Sequence, residues 1–405
     1  NYIENTTKAY IDAKGKSMNA SGQVSVTAND QVLVDNKLGL LAAGTEAVGA
    51  SVNVNVINNA VIAELLTAQD GQINAGNVEV LADSVIGMDN SIANAVGGVA
   101  GIAANVVVNS IGGKVDFSGA SELESSKIND SLATIDGNSN NIQYEKNGQT
   151  KTASYNLTSG TIKDGTKANI SGNVAATGKN SDGDAIKVAA TNKLRGYNDD
   201  TFSSNNIGAG VGLAAMGASV LVTNMKYKTD AEISGGSITA SSGNVKVDAV
   251  SNVKAEVDVV DATVGVVGIK GGVGYFNNAA QTIAKVSDAT INTNNNLLVN
   301  ANSNDSIDVD VISVLGAAAG ANVSVSIAET SNNVQSLVSG NVDIDANDVN
   351  ILASNTSNLT SKLDTKAAGG LTVDVAVNRT KSDAITHALI NATGTTDSNN
   401  MNIIA

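Results

Sequence analysis

Residues 231–249 read AEISGGSITASSGNVKVDA. Small and branched apolar residues alternate with polar ones on both sides of a Ser/Gly/Asn-rich break. Alternation with period two sends successive side chains to opposite faces and marks strands. Gly, Ser and Asn at the break favour a tight turn. Both halves of the stretch recur. The first, a small residue, any residue and a branched or large apolar residue, appears as Ala9-Tyr10-Ile11, Ala63-Glu64-Leu65, Val115-Asp116-Phe117, Ala231-Glu232-Ile233, Ala284-Lys285-Val286, Ser336-Leu337-Val338 and Ala388-Leu389-Ile390. The spacing is about 52–54 residues, with one gap about twice as long. The second half recurs from Val24-x-Val26-x-Ala28 through Ile186-x-Val188-x-Ala190 to Met401-x-Ile403-x-Ala405, following the first by about 13–15 positions in most units. A Gly/Ala run leading into alternating Val completes each unit, as in Ala50-Ser51-Val52-Asn53-Val54 and Ala321-Asn322-Val323-Ser324-Val325.

Ladders in fixed phase predict an all-β fold, a parallel β-solenoid (β-helix) of about six to seven repeats of roughly 52 residues. Each unit is expected to form two coils of about 25 residues from short strands stacked at about 4.8 Å. Ile11, Leu65, Ile233, Val286, Val338 and Ile390 are expected to share one inward column. The competing fold is an antiparallel meander, whose hairpins call for Asn-Gly or Asp-Gly turns. The regular part of the chain offers only Asp70-Gly71.

Composition agrees with a thin, repeated core. The 405 residues include no Pro, Cys or Trp, one His and 2% aromatics. Average usage would bring about 20 prolines, each removing a ladder donor. Without Cys there are no disulfides, thiolate metal sites or Cys nucleophiles, and one His excludes multi-His metal sites. A net charge of −15 disfavours nucleic acid, whose phosphates need clustered Lys and Arg, and anionic lipid. No signal peptide stands at Asn1 and no eighteen-residue apolar run is present. Both ends look like mid-repeat sequence, so the chain reads as a piece of something longer.

The ladders are interrupted once. From Val115 to Ile186 the distance is 71 residues instead of about 14. The expected domains are repeats over 1–117, an excursion over 118–181 and repeats over 182–405. Alternating residues flank Asn147-Gly148 on both sides, a strong hairpin pattern. Tyr144, Asn147, Gly148 and Tyr155 are the candidate binding surface, because loops on a scaffold carry recognition and aromatic residues dominate contact energy. The alternative is an insertion that only decorates the repeats. Phe117 is placed where the coil opens.

Catalytic chemistry is sparse, and the chain is expected not to be an enzyme. His387 has no companion at a recognisable spacing and reads as a solvated residue. Asp308 and Asp310 fall on one face of a strand, which keeps a polysaccharide-cleaving carboxylate pair under consideration. Asn180–Asp184 and Asp343–Asp348 are rich in oxygen ligands, but neither matches an EF-hand loop or a Ca²⁺-binding nonapeptide, and both read as turns. No metal or cofactor is expected. The Gly/Ala-rich segments Ile207–Val222 and Val259–Phe276 read as tight packing, with lipid-facing strands as the alternative.

The stretches Asn5-Thr6-Thr7-Lys8-Ala9-Tyr10-Ile11, Val24-Ser25-Val26-Thr27-Ala28 and Ala47-Val48-Gly49-Ala50-Ser51-Val52-Asn53-Val54 resemble the repeats of large secreted adhesins. The resemblance is to the leukotoxin-like, filamentous haemagglutinin-type family of fusobacteria and relatives. It covers most of the chain except the excursion. It implies a secreted or cell-surface virulence protein exported by two-partner secretion, with an outer-membrane secretion partner and a host cell or matrix component as ligand. The expected function is then a rigid shaft displaying a host-binding surface. The alternatives are a membrane-active toxin segment and a solenoid enzyme acting on polysaccharide. End-to-end self-association through open coil edges is also expected.

Overall fold

The structure, a computed structural model, describes all residues except 69, 113, 117–140, 147–148, 155 and 159–164; between 113 and 164 it describes strand backbone only. The first pass of the chain contains β1 (Tyr2–Asp12), β2 (Met18–Asn19) and β3 (Gln23–Leu66), and the second β4 (Gln72–Ala75) and β5 (Asn77–Ile111). Then come β6 (Lys114–Asp116), β7 (Asn141–Lys146), β8 (Gln149–Ser154) and β9 (Asn156–Thr158). The third pass resumes with β10 (Thr166–Ser171), β11 (Asn173–Ala176), β12 (Asp184–Arg195) and β13 (Phe202–Met225). The remainder is β14 (Lys228–Ala240), β15 (Asn244–Asn278), β16 (Gln281–Thr330), β17 (Asn333–Asn341), β18 (Asp343–Ala368), β19 (Leu371–Ser382), β20 (Ile385–Thr393) and β21 (Thr396–Ile404).

Seventeen of these strands form one sheet, paired in parallel throughout. The first motif sets one row of neighbours: Ala9, Ala63, Ala168, Ala231, Ala284, Ser336 and Ala388 lie side by side in that order. Val26, Val80, Val188, Val247, Val299, Ile351 and Ile403 form a second row. Outside the interrupted unit neighbours are one whole unit apart, 54 residues from Asn55 to Asn109 and 52 from Asn350 to Asn402.

The long strands bend without breaking and change partners along their length. β3 pairs with β5 over residues 23–57 and with β10 over 61–66. β5 pairs with β13, β13 with β15, β15 with β16, β16 with β14 and β14 with β10. These seven strands close into a ring in which each is hydrogen-bonded to the next and the last to the first. The expected β-solenoid of narrow coils is therefore corrected: by its pairing the main sheet is a closed, all-parallel β-barrel. Two features overturn the expectation. The offset between neighbours consumes a full unit, so there are not two coils of about 25 residues. The strands reach 44 and 50 residues because Val, Thr, Ser and Asn continue the alternation through the bends. Where a bend is sharp, Gly235 and Gly236 adopt φ of 76° and 83°, a left-handed conformation that other residues avoid.

Two apolar cores run side by side. One is built from the two motif rows, including Leu65, Ile170, Ile233, Val286 and Val338, with Ile11 and Ile390 packed against it. The other holds Ile57, Met88, Ile92, Phe202, Leu221, Tyr227, Val257, Phe276 and Val309. Phe202 and Phe276 meet edge to face, their ring centroids 6.2 Å apart. Tyr227 is buried with them and donates a hydrogen bond to the Asn59 carbonyl at 2.8 Å.

In the interrupted unit, the ladder position assigned to Val115-Asp116-Phe117 belongs to Ala168-Asn169-Ile170. β10 and β11 each pair on both sides within the main sheet, so residues 166–176 are part of it. β6 instead pairs antiparallel with β9, and β7 with β8, as two separate two-stranded sheets. Phe117 lies outside the described residues.

Candidate functional site

In successive passes, residues 92–107, 206–221, 259–274 and 311–326 form an arm with an outgoing and a returning limb. Only Asp261 and Lys270 are charged in these four segments. The usual polarity of a β layer is reversed here. Pointing inward on the outgoing limb are Asn94, Gly208, Asp261 and Ser313, which stack in register. On the returning limb Asn105, Ser219, Gly272 and Ser324 form one inward row, and Lys270 and Asn322 lie in another. Pointing outward are Ile207 and Ile312, with Val99, Val211, Leu213, Val264, Val266 and Val267 around the bend. Leu213 is 60% exposed and Val99 54%. Inside the arm Ala47, Val96 and Ala103 form a small apolar cluster with Ala42 packed against it, and Ile92, Val107, Leu221, Val259 and Val311, at the ends of the segments, join the second core.

Hydrogen bonds supplement this small apolar interior. Asn94 Nδ2 donates to the Gly49 carbonyl at 3.0 Å, Asn105 Nδ2 to Ile207 at 2.9 Å and Asn206 Nδ2 to Val220 at 3.1 Å. Asn322 Oδ1 accepts from Ser313 at 2.7 Å and Ser324 at 3.2 Å, while its Nδ2 donates to Asp374 Oδ1 at 3.0 Å. The Lys270 ammonium donates to the carbonyls of Asp261 and Val314. Burial pushes the Asp261 carboxyl up from its ordinary value, against the opposing influence of Lys270. It pushes Lys270 down, against Asp261 and Asp374.

The residues singled out in the sequence are not gathered here. Tyr144 lies in β7 opposite Lys151 of β8. Asn147, Gly148 and Tyr155 lie outside the described residues. His387 is exposed in β20 beside Gln335 of β17. Asp308 and Asp310 share Lys362, whose Nζ is 3.0 and 3.2 Å from them, so the pair is an ion-paired surface feature. Glu256 and Asp258 occupy the adjacent positions in β15. Burial, then Glu256, Asp310 and Asp308, pushes Asp258 up to about 6. Oxygens of the two oxygen-rich stretches are used in hydrogen bonds within the fold: Asn180 Oδ1 accepts from the amides of Asp182 and Asp184, both at 2.9 Å. Asp343 Oδ1 accepts from the Thr395 amide and hydroxyl, both at 2.8 Å, which holds its carboxyl below the usual range. Among the described residues no three acidic, His or Cys side chains converge on a metal position.

The segments Ile207–Val222 and Val259–Phe276 were legible as Gly/Ala-rich alternation, but not the side on which their polar residues lie. The sequence signal is that Asn94, Asp261 and Ser313 occupy one slot in the repeat and Asn105, Ser219 and Ser324 another.

No known protein family, curated protein or solved structure matches the chain. The resemblance to filamentous haemagglutinin-type adhesins is thereby corrected, since it has no support in family, relative or fold. The rigid adhesive shaft, the leukotoxin-like virulence role and the associated two-partner secretion rested on that resemblance and on an open solenoid. The closed ring removes their structural basis.

Proposed function

We propose that the chain is a non-enzymatic contact protein that pairs laterally with a second copy of itself through the outer faces of its arm. The observation that carries this reading is the inverted polarity: Val99, Val211, Leu213, Val264 and Val266 stand in solvent while Asn105, Ser219 and Asp261 are enclosed. Contiguous exposed aliphatic surface of this kind marks an interaction surface. Four passes about 4.8 Å apart, each contributing about eight residues at ~3.3 Å, cover roughly 500 Å² on one face. Two copies face to face would bury roughly 1,000 Å², the lower limit for a specific interface. Charge favours the same partner. The chain carries −15 overall, so meeting through an almost uncharged arm keeps the acidic faces apart.

Sedimentation equilibrium of the full chain across a concentration series, at low and high NaCl, tests the proposal. A dimer that strengthens with salt is expected, as charge repulsion is screened. The double variant Leu213→Asp, Val266→Asp should weaken it at least about tenfold. A monomer under every condition, or a dimer indifferent to the variant, would overturn the reading.

A further inference from the structure

We infer that two copies of the chain join end to end, the free edge of β20 and β21 in one docking in register on the free edge of β1, β2 and the start of β3 in the other. This contact is separate from the lateral pairing of arms and does not depend on it. β1, β2, β20 and β21 lie outside the closed ring. Among the described residues each is paired on one edge only: β1 with β3, β2 with β4, β20 with β17 and β21 with β18. Residues 23–28 of β3 likewise pair with β5 alone. A free edge presents unpaired N–H and C=O groups that template a further strand. Common protections are missing at one of these edges, since β20 and β21 contain no Lys, Arg or Pro.

The edges fit each other because they close the same rows. Tyr10 and Leu389 are the two ends of one row of paired neighbours, and Thr27 and Ile404 the two ends of another. A second copy stacked head to tail therefore sets Ala388-Leu389-Ile390 beside Ala9-Tyr10-Ile11 and Met401-Asn402-Ile403 beside Val24-Ser25-Val26, the kind of neighbour each motif has inside the fold. Ile351 is fully buried between passes, whereas its row neighbour Ile403, covered on one side only, is 46% exposed. In the junction Val26 covers it. Side-chain ladders also run out to both edges: Asn402 Nδ2 donates to Asn350 Oδ1 and Asn74 Nδ2 to Asn19 Oδ1, each at 2.8 Å. The row of Asn19 ends at Asp397, so the Asn19 amide gains a carboxylate acceptor across the junction.

The overlap runs from the row of Tyr2 and Lys381 to the row of Thr27 and Ile404; elsewhere the two copies stay a strand apart. Roughly 25 residues a side at ~3.3 Å, in a layer about 10 Å deep, cover roughly 800 Å² on each copy, the size of a standard specific interface. Head-to-tail stacking keeps the strands parallel. Two like edges could meet only about a two-fold axis, which makes the strands antiparallel and destroys the match of rows.

Disulfide trapping tests the register, since the chain has no Cys of its own. The full chain carrying Leu213→Asp and Val266→Asp serves as background, so failure of the lateral contact leaves the readout untouched. Tyr10, Thr27, Leu389 and Ile404 are all exposed and accept substitution without loss of core. Tyr10→Cys protein mixed with Leu389→Cys protein, or Thr27→Cys with Ile404→Cys, should cross-link under mild oxidation at high NaCl. Row neighbours about 4.8 Å apart lie within the Cα range of a disulfide. Crossed mixtures, Tyr10→Cys with Ile404→Cys or Thr27→Cys with Leu389→Cys, should react at least about tenfold more slowly, because their positions lie in different rows. Tyr10→Cys and Leu389→Cys in one chain should give a ladder of multimers. Equal cross-linking in matched and crossed mixtures would overturn the inference. So would homodimers of single variants in place of mixed dimers, or no cross-linked product at high protein concentration.

Discussion

Ile170 is the residue at which the corrected register is most directly tested. It is fully buried in β10, with Leu65 of β3 beside it on one edge and Ile233 of β14 on the other. Ile170→Ala removes three carbons, worth about 0.8 kcal/mol each, so the transfer loss is about 2.4 kcal/mol. Leu65 and Ile233 are held in hydrogen-bonded rows and cannot collapse fully into the gap. The cavity left behind raises the expected cost to about 3–4 kcal/mol, inside the range for such truncations. Lys167→Ala, three positions away with a half-exposed side chain, should stay within about 0.5 kcal/mol of wild type. Urea unfolding gives the total. Hydrogen exchange read by mass spectrometry locates it, because local stability varies along a structure. Protection should fall first in residues 61–66, 166–171 and 229–234. An unfolding midpoint indistinguishable from wild type would refute the assignment of Ile170 to the ladder. Unaltered exchange in those three segments would refute it equally.

The excursion gives a second expectation. Ile57 and Val61 are in register with Ile111 and Thr166, so the three-residue link at 58–60 spans the same gap as residues 112–165. Replacing 112–165 with a copy of that link should leave circular dichroism and melting nearly unchanged. Deleting 118–181 removes β10 and β11, each paired on both sides, and should lower the melting temperature by more than about 5 °C; equal tolerance of both deletions would contradict the pairing. A third expectation concerns pH. Burial, partly offset by hydrogen bonds from Asn332 and Thr330, pushes Asp305 up to about 6, above an unfolded value near 3.9. A raised carboxyl contributes stability that is fully present below the unfolded value and lost as pH rises through the folded one. Asp258 acts in the same direction, so mild acidification from pH 7 to pH 5 should raise the melting temperature. Asp305→Asn should reduce that rise, and melting that falls steadily from pH 7 to pH 5 would refute the assignment.

Much of the neighbour relation was readable as pattern. Ala9, Ala63, Ala231, Ala284, Ser336 and Ala388 were quoted as one motif and lie in one hydrogen-bonded row, because a parallel register places equivalent residues side by side. The size of a pass was not readable. Period-two alternation is local, and it looks the same whether a strand ends after six residues or bends and runs on for 44, as β3 does. The interrupted unit was misassigned because Val115-Asp116-Phe117 satisfies the small-x-large pattern at the expected distance. Ala168-Asn169-Ile170 satisfies it too, and only partners on both edges distinguish them. The polar interior of the arm was hidden for another reason: Asp261, Ser219 and Thr263 have no motif in common, and only the register of β13 against β15 shows which side of the arm they share.

The inverted arm also accounts for where the chain places its glycine. In the body of the fold, Leu65, Ile170 and Val247 fill the interior and stabilise it by burial. In the arm, the interior positions carry Asn94, Asn105, Asn206 and Asn322, whose amides bond to carbonyls or side chains of neighbouring limbs. Such bonds demand close approach, and bulk beside them would force the limbs apart. Gly208, Gly217, Gly272 and Gly274 occupy inward positions where a Cβ would meet Ser219, Thr263, Val311 or Val309 at 3.2 Å or less. Hydrogen bonds exchanged for water contribute about 1 kcal/mol net, less than a buried Val or Leu. The arm therefore draws less stabilisation from its own interior than the body of the fold does, and has more to gain from covering its exterior. That asymmetry is what an association surface requires: order within the limb comes from polar register, and the apolar free energy is left on the outside for a second copy to realise.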